Sequence, residues 1–170
     1  RKAVLPAIVA VLIGSFGLSV YGSYHFASSN FYLLPTRAWE LMMGSFLAAM
    51  PGHRSPARWA TELVSWAGLA AIFAAIFLFD KDTRFPGLSA LLPCAGTAMV
   101  IWANGCRITV SGRILGLKAV VFFGLISYSL YLWHWPVLVF SRYWHSTPFS
   151  PVQTFLLLVL SVLLATISWW

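Results

Sequence analysis

Long apolar runs without a charge leave this chain few ways to fold, and the first of them occupies residues 3–21. At about 1.5 Å per residue, a helix over that run nearly covers a hydrocarbon core of about 30 Å. A single strand in lipid would leave its backbone N–H and C=O groups unpaired, so the run is expected to be helical. It therefore predicts a transmembrane helix.

Five more runs follow, each long enough to cross most or all of a bilayer. The six predicted spans are residues 3–21, 36–50, 60–79, 88–104, 119–140 and 151–170. Only 9% of the residues are charged and 60% are hydrophobic, whereas an average soluble domain is about 25% charged. The composition thus excludes an ordinary soluble domain and a disordered chain. We predict an all-α, polytopic transmembrane helical bundle, with a single domain over residues 1–170.

The basic residues lie in short connections between the runs and set the expected orientation. The net charge of +7 would point to nucleic acid in a soluble protein, but the positive-inside rule accounts for it better. We therefore expect no nucleic-acid partner. If the first residue is cytoplasmic, the cytoplasmic side holds Arg1, Lys2, Arg54, Arg58, Arg107, Arg113 and Lys118, and the outer side holds Lys81, Arg84, Arg142 and Arg37.

Two charged residues stand near the start of the second run, where charges are costly. Arg37 and Glu40 are three residues apart and share one face of a helix, which Gly44 continues one turn further. Pro35 and Thr36 mark the helix start, with Thr36 as the expected N-cap. An arginine beside a helix N-terminus favours a phosphate or carboxylate, and a small residue lets a helix or a substrate approach. The alternative is a structural ion pair.

A stripe of small and polar residues runs along the fifth span. Gly124, Ser127, Tyr131 and His134 recur at helical spacing, so they lie on one face. Such a face is expected to point to the protein interior or to a water-filled cavity rather than to lipid. His134 can exchange protons near neutral pH, although an interfacial residue in the aromatic belt is the alternative. The expected orientation places His134 at the depth of Arg37, so both could line one cavity.

The other ionisable residues carry weaker signals. Glu62 lies near the cytoplasmic edge of the third run, where it is expected to neutralise Arg58 or Arg54. No metal site is expected, because no two histidines are four residues apart. The residues alone leave three function classes open, namely a membrane enzyme, a transporter or flippase of an anionic solute, and a structural subunit. Three further histidines, His25, His53 and His145, lie in the loops. The two cysteines, Cys94 and Cys106, are not expected to form a disulfide.

Two segments resemble the signature stretches of a known family. They read FYLLPTRAWELMMGSFLA and ISYSLYLWHWPVLVF, and in this order they resemble the acyltransferase 3 family, the membrane O-acetylases of bacterial surface polysaccharides and peptidoglycan. The subgroup that often carries a C-terminal SGNH-type esterase domain is matched by FPGLSALLPCAGTAMVIWA and the ending ATISWW. The resemblance extends from about Phe31 to the end of the chain.

The resemblance implies a reaction and a location. An acyl group, usually acetyl from cytoplasmic acetyl-CoA, would pass to a sugar hydroxyl of a surface glycan across the bacterial inner membrane, with no bound cofactor. Family members have about ten spans, so the chain is expected to be the later half of such a domain and inactive alone. Their first span carries an Arg and a His about eleven residues apart, which Arg1 and His25 do not match.

The resemblance also assigns residues. Arg37 and Glu40 correspond to the Arg and Glu of the family's R-x-W-E stretch, and His134 to the His of its Y-L-W-H stretch. We expect Arg37 to hold an anionic part of the donor or a developing oxyanion, and Glu40 to orient Arg37. His134 would position or polarise a partner at the outer mouth. Ser127 and Tyr131 are expected to contact the substrate.

Overall fold

The computed structural model describes residues 4–50, 56–80, 83, 86–144 and 149–170. These residues contain no strand, so the all-α prediction is confirmed. A 3₁₀ turn, Leu34–Thr36, separates the second helix from the third. The helices are α1 Val4–His25, α2 Ala27–Tyr32, α3 Ala38–Ala49, α4 Arg58–Leu78, α5 Leu88–Cys106, α6 Val110–Leu115, α7 Lys118–Trp144 and α8 Pro151–Trp169.

Five of these helices, α1, α4, α5, α7 and α8, are long and apolar enough to cross a membrane. They confirm five of the six predicted spans and a multi-pass membrane protein. Some of the predicted loop residues lie outside the described residues, namely Arg1, Lys2, His53, Arg54, Lys81, Arg84 and His145.

The second predicted span is shorter than expected. In place of residues 36–50, helix α3 has 12 residues, about 18 Å, which does not cross a core of about 30 Å alone. Its start is delayed because Thr36 still belongs to the 3₁₀ turn. It ends because Met50 is extended, with ψ at 131°, and Met50 precedes a proline, where helical backbone is disfavoured.

The chain divides into two compact units, Arg1–Arg113 and Ile114–Trp170. In the first unit α1 packs on α3, α3 packs on α5, and α5 packs on α4. In the second unit α7 packs on α8. Ile126 is fully buried in α7, and Ser161 and Ala165 are buried in α8.

Helices α4 and α5 touch through two glycines. A Cβ built on Gly68 would lie 2.5 Å from the carbonyl oxygen of Gly96, and one built on Gly96 would lie 2.7 Å from that of Gly68. Small residues of this kind let two membrane helices approach to backbone contact. This contact fixes α5, which forms one wall of the site described below.

A network of buried polar side chains joins α4 to the C-terminal end of α5 and to α6. The Ser65 hydroxyl accepts hydrogen bonds from the Asn104 amide at 3.3 Å and the Thr109 hydroxyl at 3.2 Å. Asn104 Oδ1 in turn accepts the Thr109 backbone N–H at 3.1 Å. Ser111 completes the network, 2.6 Å from Ser65. Buried polar groups are costly unless paired, so these bonds fix the turn between α5 and α6.

Glu62 belongs to the same junction, and its partner among the described residues is a backbone N–H group rather than Arg58. Both carboxylate oxygens lie 3.1 Å from the backbone nitrogen of Val110 and accept its N–H. Val110 opens α6, and the first N–H groups of a helix lack intrahelical partners. The carboxylate therefore completes a helix start 48 positions away. The other expected partner, Arg54, lies outside the described residues.

Candidate functional site

The chain after α1 turns back along that helix, which sets the depth of the charged pair. The Asn30 amide donates to the Ser19 carbonyl at 2.9 Å, and further along the chain the Ser15 hydroxyl donates to the Pro35 carbonyl at 2.5 Å. Ser15 lies in the middle of α1, a helix of 22 residues and about 33 Å. Helix α3 therefore begins about half-way along α1, deeper than the outer end expected from the sequence.

The N-terminus of α3 is not capped by Thr36, so that prediction is wrong. Thr36 lies in the 3₁₀ turn, and its hydroxyl donates to the Asn30 carbonyl at 2.6 Å. The residue in the N-cap position is Arg37, whose side chain makes no capping bond. Instead the Ser15 hydroxyl accepts the backbone N–H of Trp39 at 2.9 Å. A residue of α1 thus supplies the cap that α3 lacks.

Trp39 fixes the rotation of α3. Its side chain has no exposed surface, and its ring meets the edge of Phe16 at 5.0 Å with an interplanar angle of 71°. This edge-to-face packing stabilises aromatic pairs beyond their burial. Because Trp39 points to α1, Arg37 and Glu40 keep partial exposure, 35% and 27% of their side chains.

The two charged side chains lie close together, but their nearest atoms are too far apart for a hydrogen bond. Arg37 Nε and Glu40 Oε1 lie 3.7 Å apart, and neither atom, although buried, makes a hydrogen bond within the described part of the chain. A charge-assisted hydrogen bond normally has about 2.7–2.9 Å between its heavy atoms. The Arg37 guanidinium also lies 4.8 Å from the centroid of the Phe31 ring, a cation–π distance. The pair therefore keeps free hydrogen-bonding capacity at membrane depth.

A pocket of about 230 Å³ opens between α3 and α5 beside this pair, and Glu40, Gly44 and Cys94 are among its lining residues. A Cβ on Gly44 would meet no atom within 4 Å, so this glycine does not serve a close contact between described helices. It leaves open space instead. Cys94 and Cys106 are free.

His134 lies in the second unit and has a defined donor and acceptor. Its Nδ1 is 3.0 Å from the Leu130 carbonyl oxygen, which can only accept, so Nδ1 carries the proton in the neutral ring. Nε2 is then the unprotonated nitrogen and can accept a proton. A pocket of about 280 Å³ adjoins it, with Tyr131, Trp135 and Pro136 in its lining.

The polar stripe of α7 lies largely exposed. Ser127 donates to the Gly124 carbonyl at 2.7 Å within its own helix, and the side chain of Tyr131 is 69% exposed. The described residues do not cover this face, since Ile126 is the buried residue of α7. Substrate contact by Ser127 and Tyr131 stays a prediction. So does a cavity shared by His134 and Arg37, which belong to different units.

Sequence reasoning overlooked the residues of α1 that build the site. Ser15, Ser19, Gly22 and Ser23 are all buried in α1. A Cβ on Gly22 would meet the Asn30 side chain at 2.5 Å, so the returning chain packs directly on this face. The spacing of four small residues on one helical face was the signal that could have revealed the contact.

Comparison with known proteins gives a family and several distant relatives. The acyltransferase 3 model, described as an acyltransferase domain, matches residues 1–170. The chain is 29% identical to a Komagataeibacter xylinus protein provisionally named membrane-bound transacylase BcsY, over 84% of this chain and 35% of that protein. It is 26% identical to the O-acetyltransferase OatA of Staphylococcus aureus, over 64% of this chain and 18% of OatA.

A third relative is a Bacillus subtilis protein provisionally named peptidoglycan O-acetyltransferase YrhL, 28% identical over 82% of this chain and 24% of YrhL. The chain thus spans about a third or less of the length of these relatives. No solved structure matches the chain. Since the family model covers every residue, the chain belongs to the acyltransferase 3 family.

Proposed function

We propose that this chain is part of a membrane O-acyltransferase of the bacterial inner membrane. The donor is a cytoplasmic acyl thioester, acetyl-CoA, and the acceptor is a sugar hydroxyl of a cell-surface glycan. Family membership supports the acyl transfer. The names of OatA and YrhL support the O-acetyl chemistry, and that of YrhL supports a glycan acceptor.

The observation that carries the proposal is the Arg37–Glu40 pair. It lies about half-way along a membrane-length helix, and its Nε and Oε1 atoms are buried without hydrogen bonds among the described residues. Charges at such depth are expensive and mark functional sites. A purely structural ion pair would be expected to satisfy its own donors and acceptors.

The proposed role of Arg37 and Glu40 is to stabilise the negative charge that develops during acyl transfer. The acceptor hydroxyl oxygen attacks the thioester carbonyl carbon, so a C–O bond forms and the carbonyl oxygen becomes an oxyanion. The C–S bond then breaks, the hydroxyl proton goes to the leaving thiolate, and the products are an ester and a free thiol. Arg37 would donate to the oxyanion, and Glu40 would hold the guanidinium in place.

His134 would assist by accepting the hydroxyl proton as the C–O bond forms. Its Nε2 is free of the bond that Nδ1 makes with Leu130. The proton would then pass from Nε2 to the thiolate. Ser127 and Tyr131 would contact the glycan on the exposed face of α7.

The whole protein would contain more than this chain. We propose that additional spans precede residues 1–170 in the same membrane domain and that an SGNH-type domain follows it. The length of the relatives, of which the chain covers 18–35%, is consistent with such additions. A transporter of an anionic solute would use the same charged pair, but the family match favours the enzyme.

The test is an O-acetylation assay of the full-length protein. Surface glycans from a bacterial host that lacks its own O-acetylase are analysed by mass spectrometry, with the host supplied with isotope-labelled acetate. We expect labelled O-acetyl groups with the wild type and their loss with Arg37→Ala, Glu40→Gln or His134→Ala at equal membrane levels. A wild-type protein that adds no acyl group to any glycan would overturn the proposed function.

A further inference from the structure

One continuous groove runs down the face between α3 and α5. It consists of the pocket of about 230 Å³ beside Glu40 and a second pocket of about 440 Å³ that ends at Gly105 and Cys106. Both pockets are lined by Gly44, Leu47 and Ile101. The two spaces are therefore continuous along the helices, and we call them the α3–α5 groove.

Two glycines in the lining of this groove have no close neighbours. A Cβ on Gly44 or on Gly105 would meet nothing within 4 Å. Glycine within a helix costs about 0.5–1 kcal/mol relative to alanine, and at Gly68 and Gly96 that cost is offset by backbone contact between helices. At Gly44 and Gly105 no described helix provides such contact, so what these glycines provide is space.

The groove is long, its lining carries the single charged residue Glu40, and an arginine lies next to each end without lining it. Its upper end reaches Glu40, the partner of Arg37, and its lower end reaches Cys106, which Arg107 follows in the sequence. From Cys94 to Cys106 the helix rises about 18 Å. Under the expected orientation, Arg107 is on the cytoplasmic side. The groove thus connects that side with the charged pair at half-depth.

We propose that the α3–α5 groove binds the pantetheine arm of an acyl-CoA, with the thioester at the Arg37–Glu40 end and the phosphates near Arg107. This inference rests on the proposed function and adds the place of the donor. An unbranched arm with a reactive carbonyl at one end and phosphates at the other fits a long groove with Arg37 beside Glu40 at one end and Arg107 after Cys106 at the other. A lipid tail fits less well, since it carries charge at one end only.

Two native thiols allow a direct test at two depths. Cys94 lines the upper pocket and Cys106 the lower one. Membranes containing the full-length protein are treated with N-ethylmaleimide, and mass spectrometry measures alkylation of each cysteine. The competing probe is acetonyl-CoA, a thioether that has no free thiol. At an acetonyl-CoA concentration of about ten times its Kd, the alkylation rates of both cysteines fall about tenfold, since only the unliganded protein reacts.

Adenosine 3′,5′-bisphosphate is the control ligand, because it carries phosphates but no pantetheine arm. It leaves Cys94 alkylation unchanged, which distinguishes occupation of the groove from binding at its mouth. Thiols that do not react without ligand show that another part of the protein fills the groove. Thiols that become reactive only on detergent extraction show a lipid there. Either result overturns the proposal, as do thiols that react at the same rate with and without acetonyl-CoA.

A pair of glycine variants tests the space itself. Gly44→Leu fills the groove at a position where a Cβ meets nothing, so the helix can fold, and we expect loss of Cys94 protection and of O-acylation. Gly14→Leu is the matched control, since its Cβ also meets nothing within 4 Å and it lies on α1. If the wild type O-acylates the glycan and Gly44→Leu is fully active, the proposal for the groove is overturned but the proposed function is not. No acylation by the wild type overturns the proposed function instead.

Discussion

The hydroxyl of Ser15 accepts the backbone N–H of Trp39 at 2.9 Å, across 24 positions of the sequence. The same hydroxyl donates to the Pro35 carbonyl at 2.5 Å. One small side chain in the middle of α1 thus joins both ends of the turn that carries Arg37. This relationship places a charged pair deep in a membrane protein without a long second span.

Replacing Ser15 should therefore displace the pair. Ser15→Ala removes the cap of α3 and leaves a buried N–H and a carbonyl without that partner, so we expect a loss of about 0.5–2 kcal/mol in stability. The measurement is the temperature at which the detergent-solubilised full-length protein loses its monodisperse peak, together with O-acetylation. Ser45→Ala is the control, because the Ser45 hydroxyl donates to the Leu41 carbonyl of its own helix at 3.2 Å and makes no other side-chain bond among the described residues. Equal effects of the two variants would contradict the cap.

The glycine contact between α4 and α5 predicts a difference in thermal stability between two glycine variants. Gly68→Ala puts a methyl group 2.5 Å from a backbone oxygen, which cannot rotate away, so the helices must separate at a cost of about 1–3 kcal/mol. Gly14→Ala meets nothing and should be neutral or slightly stabilising. The same thermal assay compares them. A Gly68→Ala protein as stable as Gly14→Ala would rule out the close contact.

Asn104 predicts a third effect, at the α5–α6 turn. Asn104→Ala leaves the buried Thr109 backbone N–H without its acceptor, and an unsatisfied buried donor costs about 1–3 kcal/mol. The expected results are a lower melting temperature and faster proteolysis after Arg107 or Arg113. Thr166→Ala is a suitable control, because the Thr166 hydroxyl donates to the Val162 carbonyl within α8 and to no other group in the described part of the chain. An unchanged protease pattern in Asn104→Ala would contradict this role.

His134 offers a test of its two nitrogens. Asparagine places an amide nitrogen near the position of Nδ1, which bonds to Leu130, whereas glutamine reaches the position of Nε2. If Nε2 accepts the proton, both variants lose about 100-fold or more in acetylation rate, because neither amide is a base. Full activity of His134→Asn would show that only the bond to Leu130 matters.

The sequence predicted the charged pair but not what holds it. Arg37 and Glu40 were recognisable because charges are rare in apolar runs, and five spans followed from length and composition. The small residues of α1 marked a contact face, but the bonding partners of Ser15 and Glu62 were not recognisable, because they lie 24 and 48 positions away. Thr36 was mistaken for a cap because its hydroxyl donates to the Asn30 carbonyl of the preceding helix, and residue preference alone cannot reveal that competing acceptor.

Hydropathy also did not predict the true length of the helix in the second span. Hydropathy gave residues 36–50 as one membrane crossing, whereas α3 is only 12 residues long. The turn back along α1 depends on hydrogen bonds of Asn30 and Ser15, which hydropathy does not measure. The depth of Arg37 is therefore a property of tertiary contacts and could be found only from the structure.

The most direct measurement is the O-acetyl content of surface glycans made by the full-length Arg37→Lys protein, at membrane levels equal to the wild type. Lysine keeps the charge but lacks the planar fork of donors, and loss of one oxyanion donor costs about 100- to 1000-fold in rate. We predict a fall of that size for Arg37→Lys, and a fall also for Glu40→Gln. Wild-type acetylation by Arg37→Lys and Arg37→Ala would contradict a catalytic role for the pair.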